Sequence, residues 1–156
     1  MSAVSPRLLV LELGATGAET DRSAELSKIE FHSAEADVEE VTFEEARAGG
    51  ARDYTAQLTI RQDHATGTLW REIWTNAGST LSGIYNPYGP AVTVPTPSTP
   101  FFGIKAVVSE PEGLFMGGEA TTSVRARASV EVEWALEEKP TEITSQAELD
   151  TWQGVI

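Results

Sequence analysis

The stretch that decides the fold is TSVRARASVEVEWALEE, at residues 122–138. From residue 124 to residue 136, every second residue is apolar or alanine, and the residues between them are mostly charged or hydroxylic. Strict alternation of this kind predicts a β-strand with one buried face and one solvated face. The side chains that we expect against the core are Val124, Val130, Val132 and Trp134.

The predicted strand is unusually long. About fifteen residues at ~3.4 Å each would span roughly 50 Å, whereas a compact domain of 156 residues is only about 40 Å across. A strand longer than its own domain leaves an open edge, and open edges pair readily with other chains. The small residues Ala126 and Ala128 lie where such a strand can bend as it leaves the core.

The rest of the chain predicts a mainly β protein. Alternating segments rich in β-branched and aromatic residues, bounded by glycine, proline or turn residues, are typical of strands. Such segments lie at residues 7–14, 27–33, 52–62, 80–85 and 101–109.

One segment, GTLWREIWTNAG, has helical periodicity. Its apolar residues recur at the spacing of one helix face, and Gly78 provides a typical stop signal. We therefore predict one flanking α-helix at about residues 67–77. Its core side is formed by Leu69, Trp70, Ile73 and Trp74.

The length predicts a single domain that covers residues 1–156. At its ends we expect an N-terminal strand and arm at residues 1–25 and a C-terminal tail at residues 141–156. This tail is expected to form a helical turn after Thr144 or Ser145.

A proline-rich segment interrupts the strands. Five of the eight prolines lie between residues 87 and 100, and proline cannot donate a hydrogen bond to a sheet. We therefore predict a long, stiff surface loop at residues 86–100. This loop and both termini are expected to bury little apolar surface.

Composition restricts the possible partners. The chain carries a net charge of −13 and no cysteine, which disfavours nucleic-acid and anionic membrane surfaces and excludes disulfides and thiolate metal sites. The densest acidic run is EADVEEVTFEE at residues 35–45, with six acids and no base. Taken alone, such a run is typical of a solvated surface.

The longest apolar run near the N-terminus is LLVL at residues 8–11, so we expect a protein made in the cytoplasm with no membrane partner.

No group of residues predicts catalysis. His32 lies on the polar side of a predicted strand, and His64 lies in a turn beside Asp63, where neighbouring side chains point apart. In GLFMGGEAT, Glu119 occupies the place where a phosphate-binding loop needs lysine. We therefore expect no enzymatic activity, no cofactor and no metal site.

The order of the predicted elements is similar to that of a known family. The features are the DYTAQLTIRQD strand, the LWREIWTNAG helix, the SGIYNPYG strand, the GGEA loop, the alternating strand and a terminal EKP. Together they cover roughly residues 50–141 and resemble the major tail (tail tube) proteins of long-tailed, siphovirus-type bacteriophages, especially those that infect actinobacteria. The residues that carry the resemblance are Tyr54, Leu58, Gln62, Asp63, Leu69, Trp74, Asn76, Ala77, Gly78, Gly117, Gly118, Glu119, Ala120, Lys139 and Pro140.

This resemblance implies a β-sandwich or barrel-like fold flanked by a helix and assembled into hexameric rings that stack as a tube. It implies a virion protein whose main partner is itself, with tail-tip, terminator and tape-measure proteins as further partners. DNA would pass through the tube without specific binding. An acidic lining would favour that passage, because it does not retain phosphates.

Within this interpretation, two groups of residues receive roles. The acids that we expect to face the lumen are Glu35, Asp37, Glu39, Glu40, Glu44, Glu45, Glu131 and Glu133. The expected contacts between subunits are Arg125, Arg127, Pro87, Tyr88, Pro95, Pro97, Phe115 and Met116.

Three alternatives remain open. A carbohydrate- or receptor-binding β-sandwich module would use Trp70, Trp74, Tyr85 and Tyr88 as stacking platforms. A capsid decoration protein or head–tail connector would share the virion context and a β-rich fold. A small β-rich enzyme is the third alternative, and the missing catalytic group counts against it.

Overall fold

The fold is mainly β, as predicted, and its strands pair antiparallel. The computed structural model describes residues 4–35, 40, 42–47, 52–124 and 128–154. Within these residues, eight strands form one antiparallel sheet, accompanied by three α-helices and a short 3-10 helix at Pro6–Leu8. The strands are β1 (Val10–Gly14), β2 (Thr20–Asp21), β3 (Leu26–Glu35), β4 (Arg52–Arg61), β5 (Thr80–Asn86), β6 (Phe101–Val107), β7 (Ser129–Leu136) and β8 (Thr141–Ile143). The α-helices are α1 (Phe43–Arg47), α2 (Leu69–Asn76) and α3 (Gln146–Trp152).

The sheet consists of two parts joined by a short seam. Its strand order is β2-β1-β5-β6-β7-β4-β3, and β8 lies beside β6. The first half of β6 pairs with β8, for example Phe101 with Ile143. Only the end of β6 pairs with β7, through Ala106 with Leu136 and Val107 with Ala135. We refer to β2-β1-β5-β6-β8 as the first sheet half and to β7-β4-β3 as the second sheet half.

The two sheet halves face each other across the core. Phe31 of β3 and Tyr85 of β5 have ring centroids 4.9 Å apart, although several strands separate β3 from β5 in the sheet order. The sheet therefore curls back on itself. Both halves contribute fully buried side chains to the core, among them Leu11, Leu13, Leu58, Ile60, Val130 and Trp134.

The strand that the alternating sequence predicted is shorter than expected. β7 has eight residues, and the alternation holds within it, because Val130, Val132 and Trp134 are buried. The prediction for Val124 was wrong, since this side chain is 91% exposed. The reason is that a strand needs a partner for its backbone hydrogen bonds, and the pairing with β4 ends at Arg61 opposite Ser129.

Helix α2 lies where the sequence predicted it. Thr68 caps its first turn, because the Thr68 hydroxyl accepts a hydrogen bond from the Arg71 amide at 3.3 Å. Leu69, Trp70 and Ile73 are buried as predicted, whereas Trp74 is 50% exposed and corrects the prediction. Trp74 lies at the margin of the apolar stripe and stacks on Trp70 with centroids 5.7 Å apart, instead of entering the core.

The C-terminal tail folds onto the first sheet half. α3 begins after Ser145, whose hydroxyl accepts a hydrogen bond from the Glu148 amide, so the predicted helical turn is confirmed. Trp152 of α3 lies flat over Gly103 of β6, where an added Cβ would come within 2.5 Å of the indole ring. The expectation that this tail buries little apolar surface was wrong, because Leu149 and Ile143 form a second core cluster with Phe101. The same expectation for the N-terminal segment was also wrong, because Leu11 and Leu13 of β1 are fully buried.

The segment between β5 and β6 also packs against the body of the protein. Pro87 and Pro95 are buried, in contrast to the expected solvated loop. The side chain of Asn86 organises the segment by donating to the carbonyls of Gly89 and Val92, both at 2.9 Å. Asparagine before proline commonly starts a turn, and here Pro87 is buried directly after Asn86, whereas Pro90 within the same turn is exposed.

Candidate functional site

The outer surface of the second sheet half carries a polar face. The strand register places Glu30 opposite Gln57, and Gln57 opposite Glu133. It also aligns Lys28 with Thr59, and Thr59 with Glu131. Since alternate residues of these strands are buried in the core, all of these side chains share the solvated side. We define the polar face as Lys28, Glu30, His32, Thr55, Gln57, Thr59, Glu131, Glu133 and Ala135.

A loop that follows β6 turns the polar face into a concavity of about 590 Å³. Trp134 holds this loop, because its indole nitrogen donates to the carbonyl of Ser109 at 3.1 Å. The loop contributes Glu110 and Glu112 to the wall.

The charged groups that line the concavity are mainly acidic. They comprise four carboxylates and one ammonium group, that of Lys28. The ammonium nitrogen of Lys28 also lies 3.9 Å from a carboxylate oxygen of Glu30. The negative charge of Glu30 therefore compensates part of the positive charge of Lys28. The concavity therefore repels phosphates and other anions.

The acids that were expected to face a lumen do not form one group. Glu131 and Glu133 lie exposed on the polar face. Glu35 lies opposite Arg52 in the strand register at the end of β3. Strand alternation places the Glu35 side chain on the side of the sheet opposite the polar face. Three further acids, Glu40, Glu44 and Glu45, are exposed in the connection between β3 and β4, and Asp37 and Glu39 lie outside the described residues.

Two of the expected subunit contacts lie in a glycine-rich loop that is tied to the protein body. Gln62 and Gly117 exchange two hydrogen bonds, from the side-chain amide to the carbonyl at 2.7 Å and from the backbone amide to the side-chain oxygen at 2.9 Å. Phe115 is half-buried against the two tryptophans of α2, and Met116 is exposed. The loop therefore presents an anchored apolar surface.

The other expected contacts have different surroundings. Pro87 and Pro95 are buried within the chain and Tyr88 is half-buried, so their rings contribute little to the surface. Pro97 is exposed. Arg125 and Arg127 lie outside the described residues.

Sequence reasoning missed a group of acids at the first sheet half. Glu12 of β1 pairs with Asp21 of β2, and Glu19 accepts a hydrogen bond from the Ser82 hydroxyl at 2.8 Å. Burial raises the pKa of the Glu12 carboxyl above its ordinary value, and the negative charges of Asp21 and Glu19 raise it further. Nevertheless, no three metal-ligating side chains within the described parts of the chain are placed to hold an ion.

This raised pKa predicts a pH-dependent effect of Glu12→Gln. At a pH above the pKa that Glu12 has in the folded protein, its carboxyl is ionised in both the folded and the unfolded protein. The ionised form is disfavoured in the folded protein, which lowers the free energy of unfolding. Below its ordinary pKa of 4.5 it is protonated in both states and this penalty disappears. We therefore expect Glu12→Gln to raise Tm at pH 7 and to leave it unchanged near pH 4. Thermal unfolding at both pH values checks this, with the exposed Glu142→Gln as control, and an equal gain at both pH values would contradict it.

A second feature that the sequence did not predict is an aromatic cleft between the sheet halves. Its walls are Phe31, Tyr54, Tyr85, Phe102 and Ile104, with Lys139 and Pro140 beside them, and its volume is about 270 Å³. The rings of Tyr85 and Phe102 lie 6.4 Å apart. Burial, with a smaller contribution from Tyr88, raises the pKa of the Tyr85 hydroxyl, so this residue stays neutral at physiological pH.

No model of a known protein family matches the chain, and no curated protein is significantly similar to it. Within the described residues, no helix has the length and apolar character to cross a membrane.

Proposed function

We propose that this chain is a structural subunit that assembles with copies of itself into stacked hexameric rings that form the tail tube of a long-tailed bacteriophage. The motifs at residues 50–141 support this proposal by their resemblance to tail tube proteins. The observation that carries it is the open edge of β3, which has ten residues and pairs, among the described strands, with β4 alone. A long unpaired edge is a template for adding a strand from another chain.

The end of the β3–β4 hairpin supports pairing between copies. The pairing of β4 with β7 reaches only Thr55 opposite Ala135, whereas the pairing of β4 with β3 continues to Arg52 opposite Glu35. Among the described strands, the last residues of the hairpin therefore have no further partner on either edge. We infer that neighbouring copies complete the curled sheet of each subunit and so produce a barrel-like lining.

The charge of the polar face fits a conduit for DNA. Glu131 and Glu133 are exposed on it, and six copies at −13 each would carry a charge of −78. A basic bore would hold DNA by releasing its counterions, whereas an acidic bore releases none. We therefore place the polar face toward the lumen, where DNA passes without specific binding. Tape-measure and terminator proteins are the further partners of such a tube.

The test is the assembly state of the purified protein. We expect rings or tubes in electron micrographs and fast-sedimenting species as the concentration rises. Ala34→Lys places a charge on the open edge of β3 and should raise the concentration needed for assembly about tenfold, which corresponds to about 1.4 kcal/mol. Ala147→Lys makes the same change at an exposed position of α3, away from this edge, and should assemble normally.

Other outcomes distinguish the alternatives. Monomers at every concentration would contradict the proposal, and single rings that never stack would favour a connector. The half-exposed Trp74, which stacks on Trp70 beside Phe115, favours a carbohydrate-binding module as the second candidate. In that case, sugars should quench tryptophan fluorescence in a manner that Trp74→Ala abolishes.

A further inference from the structure

We propose that the aromatic cleft receives the Phe43 side chain of a second copy of this chain. This inference rests on the proposed self-assembly and names one of its contacts. Phe43 begins α1 and is 85% exposed, and α1 buries none of its residues. A phenyl ring on a helix without a buried face has no packing partner within the described part of its own chain.

The cleft has the size and chemistry that a phenyl ring requires. It offers the rings of Phe31, Tyr54, Tyr85 and Phe102, and aromatic rings pack favourably in tilted or edge-to-face arrangements. A cavity of about 150 Å³ already accommodates benzene in another protein, so the larger volume of about 270 Å³ admits the side chain of Phe43.

Charge complementarity supports this occupant. Glu44 and Glu45 follow Phe43 in the first turn of α1 and are exposed. Lys139 lies at the cleft. A docked α1 would therefore bring carboxylates toward an ammonium group.

The contact joins two different surfaces, which determines the type of assembly that it supports. Each copy offers one Phe43 and one aromatic cleft, so each copy can give one contact and receive another. If the copy that receives Phe43 gives its own Phe43 to a third copy, the contact is heterologous and closes into a ring or continues as an open filament. If two copies instead exchange Phe43 with each other, the contact is two-fold and stops at a dimer. The proposed rings require the first arrangement.

The first experiment compares Phe43→Ala with Val4→Ala, which also removes an exposed apolar side chain. By sedimentation velocity, we expect Phe43→Ala to weaken self-association at least tenfold and Val4→Ala to leave it unchanged. Assembly of Phe43→Ala at the concentration of the unaltered chain would overturn this inference but leave the proposed function standing. Absence of assembly in the unaltered chain would overturn both.

The second experiment identifies the cleft as the docking place. Because the sequence has no cysteine, Glu44→Cys in one chain and Lys139→Cys in another give a single pair of thiols when mixed. We expect rapid disulfide cross-linking between the two chains under mild oxidation, and little between Glu44→Cys and Val94→Cys. Equal cross-linking of both pairs would overturn the inference. A chain that carries both Glu44→Cys and Lys139→Cys and closes its disulfide internally at high dilution would also overturn it.

Discussion

Replacing Trp134 by alanine should lower the free energy of unfolding by about 3–5 kcal/mol, the usual effect of removing a large buried aromatic side chain. Trp134 is fully buried in the centre of β7, opposite Ala56 of β4. Its indole nitrogen also donates a hydrogen bond to the carbonyl oxygen of Ser109. Since small domains have only about 5–15 kcal/mol of stability, this change should remove a large fraction of the total.

Trp134→Phe is the matched control. It retains an aromatic ring but loses the hydrogen bond to Ser109, a difference of about 1 kcal/mol, with a further small loss from reduced volume. Urea unfolding followed by circular dichroism measures both variants without depending on the fluorescence of the replaced residue. A transition midpoint for Trp134→Ala equal to that of the unaltered protein would show that Trp134 contributes little to the core.

Exchanging Glu131 and Glu133 for lysine should produce DNA binding, which we do not expect of the unaltered protein. The concavity of the polar face would change from four carboxylates and one ammonium group to two carboxylates and three ammonium groups. If each new lysine contacts one phosphate, affinity should fall about tenfold between 50 and 200 mM salt, because counterion release sets the slope. Titration of labelled duplex DNA at several salt concentrations measures this.

A second variant separates the position of the charges from their number. Glu138→Lys with Glu142→Lys produces the same change in net charge at exposed residues outside the polar face. On assembled particles, this control should bind DNA much more weakly than the Glu131 and Glu133 variant. Equal binding by the two variants would mean that net charge alone acts, and would remove the support for the polar face as the lining.

Local sequence patterns predicted the elements whose structure depends on near neighbours. The alternation of Val130, Val132 and Trp134 predicted one buried face of β7, and the spacing of Leu69, Trp70 and Ile73 predicted α2. In both cases the apolar side chains recur at the period of the element, because one face of the strand or helix is buried in the core.

Other features depend on residues far away in the sequence. The alternating stretch predicted a strand through Val124, but the end of β4 at Arg61 decides where β7 can pair. The aromatic cleft assembles rings from β3, β4, β5 and β6, and no local pattern indicates that these strands curl together. Likewise, the turn after β5 depends on the hydrogen bonds from the Asn86 side chain to the carbonyls of Gly89 and Val92, which the proline content does not indicate.

The position of β7 between β6 and β4 has a consequence for the speed of folding. This arrangement pairs Leu58 with Val132, and β1 likewise pairs Leu11 with Tyr85. The two residues of each pair are far apart in the sequence, and the chain between them must form a closed loop before the pair can contribute free energy. Proteins dominated by pairs of this kind fold in milliseconds to seconds, not microseconds. The residues of β3 and β4 are synthesised well before those of β7, so we expect these two strands to be open to contact with other nascent chains until β7 pairs with β4.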